Sequence, residues 1–121
     1  MTEKGKLEYL KNQGIDAVLG MRYADDSLSF YEELIGIFLE EYEEKVSKVV
    51  EASKKGGREY TVLVHGLKNN AKALGAVELA GLAYEHEKAS KSEDMEYIAH
   101  NLQFLLQTWE KSVQIFQKIN S

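Results

Sequence analysis

The stretch LSFYEELIGIFLEEYEEKVSKVVEASKK, residues 28–55, decides the fold class. Leu28, Tyr31, Leu34, Ile35, Phe38, Leu39, Tyr42, Val46 and Val49 recur mostly at steps of three and four, the apolar stripe of an amphipathic helix. At 1.5 Å per residue such a helix is roughly 40 Å long, a bundle helix. Asp26 or Ser27 can cap its start, and Gly56-Gly57 can close its end.

The same period continues on both sides. A third helix is expected from Arg58 or Glu59, with Tyr60, Leu63, Val64, Leu67, Ala71 and Leu74 as its stripe. Gly75-Ala76 marks a turn. Val77 to about Lys91 carries Leu79, Leu82, Ala83 and His86 on one face, and Ser90 to Asp94 reads as a polar loop. The last helix runs from Glu93 or Met95 almost to the end, with Ile98, Leu102, Leu105, Trp109, Val113 and Phe116 inward. Upstream, Leu7 and Leu10 suggest a short helix ending near Gly14, and Asp16 can cap a second, Ala17 to Met21. No useful segment alternates with period two, so no sheet is expected. The expectation is an all-α fold: an antiparallel up-down-up-down four-helix bundle, with two short N-terminal helices over an end or a flank. One domain should cover residues 1–121.

Composition narrows the chemistry. There is no cysteine, hence no disulfide and no thiolate metal site. There is no proline to break a helix. No apolar run approaches the roughly 20 residues of a membrane span, and the polar N-terminus has no apolar signal core behind it. A cytoplasmic protein that does not engage a membrane is expected. A net charge of −5 argues against a nucleic-acid partner. No phosphate loop, nucleophile elbow or zinc-protease motif occurs. Di-metal sites in helical bundles use Glu-x-x-His pairs. The residues three before His65, His86 and His100 are Val62, Ala83 and Tyr97, so no metal site is expected.

His65 stands out by position. On a helical wheel centred on Leu67 it falls at about 160°, near the outermost point. Lys72, Thr61 and Lys68 flank it on one side. Asn69, Val62, Gly66 and Ala73 flank it on the other. By residue type alone this is ordinary solvated surface. The arrangement also suits phosphoryl chemistry. An exposed neutral imidazole is a good nucleophile, and a nearby lysine stabilises a phosphoryl group that carries about two negative charges. The flank of mostly small side chains is either a docking surface or a place where the N-terminal helix packs closely. His86 is expected at a helix interface, His100 at a partly exposed position, and Glu40, Glu41, Glu43 and Glu44 on a solvated face.

The run Val64-His65-Gly66-Leu67-Lys68-Asn69-Asn70-Ala71-Lys72-Ala73-Leu74-Gly75-Ala76 resembles the signature of histidine-containing phosphotransfer (HPt) domains. That signature is roughly Ala-His-x-Leu-Lys-Gly-small-small-x-x-Leu-Gly-Ala. Gly14-Ile15-Asp16, Phe30-Tyr31-x-x-Leu34-Ile35-x-x-Phe38 and Leu79-x-x-Leu82-Ala83-x-x-His86-Glu87 resemble further family segments, with His86 in place of a Leu. The family fold is an antiparallel four-helix bundle.

The resemblance implies that His65 is the phosphorylated nucleophile and Lys68 the lysine that contacts the phosphoryl group; Asn69 and Lys72, its neighbours on the wheel, are candidates for further stabilising groups. Glu87 corresponds to a Glu or Gln that hydrogen-bonds the histidine in several members. The turn at Gly75-Ala76 lies about midway between them, so a helical hairpin brings positions 65 and 87 to one level. Lys91 aligns with a second basic residue seen in some members, and the flank Val62, Gly66, Asn69 and Ala73 is the candidate docking surface. The implied partners are response-regulator receiver domains, a histidine kinase, or both. The chain needs no cofactor of its own, because the receiver holds Mg²⁺, and a monomer leaves the docking surface free. It would be a carrier and not a complete kinase. Two alternatives stand beside this: the phosphoacceptor domain of a chemotaxis-type kinase, and an interaction bundle without phosphoryl chemistry. Three residues depart from the pattern: Asn69 replaces a Gly, Asn70 a small residue, and Gly66 a Thr, Ser or Ala.

Overall fold

The computed structural model describes residues 1–120, and the described residues form six helices and no strand. They are α1 (Glu3–Asn12), α2 (Ala17–Tyr23), α3 (Leu28–Ser53), α4 (Gly57–Ala73), α5 (Val77–Lys91) and α6 (Met95–Ile119). Side-chain oxygens of Thr2, Asp16, Ser27 and Asp94 cap α1, α2, α3 and α6 by accepting from backbone N–H groups in the first turn. Ser27, the second of the two candidate caps, is the one used.

Each long helix buries the stripe that its sequence marks. Tyr31, Ile35 and Phe38 come from α3, Tyr60, Val64 and Leu67 from α4, Leu79 and Ala83 from α5, and Ile98, Leu105, Trp109 and Phe116 from α6. Full burial of one such aliphatic or aromatic side chain contributes roughly 1.5–3 kcal/mol. Edge-to-face pairs, Phe38 on Phe116 and Tyr42 on Trp109, tie α3 to α6. Helix α3 packs on α4 and α6, and α5 packs on the same two. Contacts step up α4 as they step down α5, from Thr61–Ser90 through His65–Glu87 to Lys68–Tyr84, so this pair is antiparallel. None of the described helices is long and apolar enough to cross a membrane.

The turn between α4 and α5 is fastened from outside. The Asp16 N–H donates to the Gly75 carbonyl at 2.8 Å, and the Tyr31 hydroxyl donates to the Leu74 carbonyl at 2.6 Å. Gly75 has φ +79°, and a Cβ there would fall on the Asp16 carbonyl, so only glycine fits.

Several boundaries differ from the sequence expectation. Helix α3 ends at Ser53 with Lys54 as its C-cap, and Gly56 and Gly57 are the N-cap and first residue of α4 instead of the close of α3. Helix α2 continues two residues beyond Met21, to Tyr23. Ser90 and Lys91 belong to α5 and not to a polar loop. Ser90 is buried there, its hydroxyl bonded to Thr61 Oγ1 at 2.6 Å and donating to the Gly57 carbonyl at 3.2 Å. A satisfied hydroxyl packs against a neighbouring helix without penalty.

Candidate functional site

His65 projects from the middle of α4, away from its buried stripe, and its side chain is 51% exposed. Glu87 projects from α5, and its side chain is only 4% exposed. His65 Nδ1 lies 2.7 Å from Glu87 Oε2. A carboxylate can only accept, so Nδ1 carries the proton and the neutral ring keeps its lone pair on Nε2. Asn69 Nδ2 lies 3.2 Å from that Nε2 and donates to it. Both nitrogens of the ring are thus engaged, and both bonds require the same tautomer.

Glu87 holds more than the histidine. Lys68 Nζ donates to Oε1 at 2.8 Å, and Lys91 Nζ lies 3.2 Å from Oε2. Burial works against the charge on Glu87. Hydrogen bonds from Lys68, His65 and Lys91 outweigh it and bring the carboxyl down to about 2. One nearly sealed carboxylate therefore anchors an imidazole and two ammonium groups at the surface. Lys68 also sits 5.5 Å from the ring centre of Tyr84, and Lys88 caps the same ring at 4.7 Å.

The structure brings His65, Lys68, Asn69, Glu87 and Lys91 into one cluster. Lys91 reaches it because α5 extends to that residue. Lys72 is exposed two turns beyond His65, and among the described residues no hydrogen bond or ion pair joins it to the cluster. Lys68 and Lys91 are both turned onto Glu87, so neither stands free beside Nε2. On the docking flank, Val62 is exposed, and a Cβ added at Gly66 would meet nothing within 4 Å. Asn69 is exposed too, whereas Ala73 is half-buried beside a small cavity toward Leu34 and Phe38 of α3. Helix α1 packs on α2 and α6, and α2 packs on α3 and α4.

No protein-family model, no curated protein and no solved structure matches this chain. The site is therefore read from its own geometry.

Tyr84 is the site residue that the sequence reading missed. Its signal was its place one turn before Glu87 and Lys88 on the same face of α5. His86 belongs to a different environment. It is buried, its Nδ1 accepts from the Tyr60 hydroxyl at 2.8 Å, and its Nε2 donates to the Asn101 carbonyl at 3.2 Å. Burial lowers its pKa against the opposing effect of Asn101. No group of metal-ligating side chains occurs among the described residues. A cavity of about 1010 Å³ opens between α1 and α2, and none of its lining residues belongs to α4 or α5.

Proposed function

We propose that this chain is a histidine phosphotransfer domain, a carrier that takes a phosphoryl group from a receiver-domain aspartate and passes it to another receiver. One observation carries the reading: an exposed imidazole whose Nδ1–H is fixed by the buried Glu87, leaving the Nε2 lone pair outward. The contacts among α3, α4, α5 and α6 support an antiparallel up-down-up-down bundle, with α1 and α2 packed at its side. The reading further holds that the protein is cytoplasmic and monomeric, and that Mg²⁺ belongs to the partner.

In the forward step the Nε2 lone pair attacks phosphorus in line. The N–P bond forms as the P–O bond of the acyl phosphate breaks, and its electron pair leaves on the aspartate carboxylate. No proton has to leave Nε2, which carries none. The Nδ1–H stays on Glu87, whose charge balances the cationic ring that results. Lys68 and Lys91, one salt-bridge length from the ring's anchor, are placed to turn toward the three phosphoryl oxygens.

The test is phosphoryl transfer from a phosphorylated receiver, with His65→Gln beside wild type and intact mass as the readout. Acid-labile, alkali-stable phosphate on wild type alone is the expected result. The Asn69 amide on Nε2 favours one competing reading, a docking bundle with no phosphoryl chemistry, and uptake by neither protein from several receivers would support it. Uptake only from a chemotaxis-type kinase core would make the chain that kinase's phosphoacceptor domain.

A further inference from the structure

The nucleophilic nitrogen is not open. Asn69 stands one turn beyond His65 on α4, and its Nδ2 lies 3.2 Å from Nε2. The other side of the ring is pinned by Glu87, so the imidazole cannot turn away from the amide without losing its 2.7 Å bond. Both lysines of the cluster are committed to Glu87. Asn69 is therefore the donor already in place where phosphoryl oxygens would arrive. Its side chain is exposed, so it can swing into water without displacing any packed group.

We propose that Asn69 is a latch on His65, resting on the carrier reading above. Before transfer its N–H occupies the Nε2 lone pair and must leave before that lone pair can reach phosphorus. After transfer the same N–H donates to a phosphoryl oxygen beside the new N–P bond. The first bond is to a neutral nitrogen and slows loading. The second is to an anion, the stronger kind of acceptor, and retains the group against water. The domain is thus slow to fill and slow to empty. A glycine at this position would do neither.

The experiment uses phosphoramidate as donor, because it has no surface to dock. Its phosphoryl group moves to Nε2 as its own P–N bond breaks, and ammonia leaves with that electron pair. Loading and subsequent hydrolysis are followed by intact mass for wild type, Asn69→Ala and Asn69→Asp. In Asn69→Ala, loading should be about fivefold faster and the phosphohistidine half-life about fivefold shorter, each ~1 kcal/mol at 1.4 kcal/mol per tenfold. In Asn69→Asp, a carboxylate faces the arriving anion, so loading should be slower than wild type and the half-life shorter. A structural role alone would lower the melting temperature and slow loading in Asn69→Ala, and that overturns the latch. So does a change in only one of the two rates.

A second arm needs no donor. In the ¹⁵N spectrum of the unphosphorylated protein, the Nε2 resonance of His65 should shift in Asn69→Ala while Nδ1 stays protonated. An unmoved Nε2 resonance also overturns the latch. If wild type takes no phosphoryl group from phosphoramidate or any receiver, the carrier reading fails. The spectrum then still reports whether Asn69 covers Nε2, so the two failures are told apart.

Discussion

His65 and Glu87 sit twenty-two residues apart and meet at 2.7 Å, one half in water and the other almost sealed from it. A buried acceptor and an exposed ring divide the work. The carboxylate fixes tautomer and orientation, and the imidazole remains reachable.

Glu87→Gln should separate charge from shape. The amide oxygen can still accept from Nδ1, but the cationic ring loses its counter-charge and Lys68, 22% exposed, loses its partner. A hydrogen bond to a charged group contributes roughly 1.5–3 kcal/mol, so phosphoryl loading should fall roughly 10- to 100-fold. Transfer kinetics by intact mass check this. Loading at the wild-type rate would remove Glu87 from the proposed mechanism.

The same carboxylate makes stability depend on acid. Its cationic partners bring its carboxyl down to about 2, below the ordinary glutamate value of about 4.5. Its contribution is complete above pH ~4.5 and is lost as the pH falls toward 2. At ~1.4 kcal/mol per pKa unit it amounts to at most about 3–4 kcal/mol, reduced by solvent screening at the exposed Lys91. Urea unfolding between pH 5 and 2 should show a decline that Glu87→Gln flattens.

His86 acts in a higher window. Burial lowers its pKa, so the unfolded chain binds this proton more readily than the folded one. Stability should be full above the ordinary value of about 6.5 and should fall as the pH drops below it. His86→Gln, whose amide can accept from Tyr60 and donate to Asn101, should cost about 1–2 kcal/mol at neutral pH and remove that slope. Denaturant midpoints from pH 8 to 5 decide it, and an unchanged slope in the variant would sink the assignment.

Gly66 offers a test in the opposite direction. A Cβ there meets nothing, and Gly inside a helix costs about 1 kcal/mol relative to Ala. Gly66→Ala should raise the melting temperature. If the flank receives a receiver, a larger side chain there, Gly66→Leu, should slow transfer from the receiver while leaving loading from phosphoramidate unchanged. Equal slowing with both donors would refute the docking role.

How much of this could be read in the sequence depends on what burial does to each residue type. The apolar stripes of α3 and α6 declare themselves, because packing alone places Phe38, Leu105 and Trp109. The turn at Gly75 declares itself as well, and with it the level at which His65 and Glu87 meet. Ser90 misleads, since a hydroxyl next to Lys91, Ser92 and Glu93 looks like a loop until Thr61 and the Gly57 carbonyl supply its partners. The depth of Glu87 is equally hidden. A carboxylate is sealed only when enough donors converge on it, and of the three here His65 and Lys68 lie on α4 while Lys91 looks like loop in the sequence. Asn69 stood at the right spacing, but whether its amide faced the ring or a partner required coordinates.

The bond from Asp16 to Gly75 links the opening of the chain to the crown of the α4–α5 hairpin. Residues 57–91 contain every group of the His65 cluster, yet they do not contain the clasp that sets their register. An excised hairpin peptide would keep the whole motif and lose its alignment. The smallest unit that holds this alignment is therefore longer than the motif, and it reaches back past Tyr31 to Asp16.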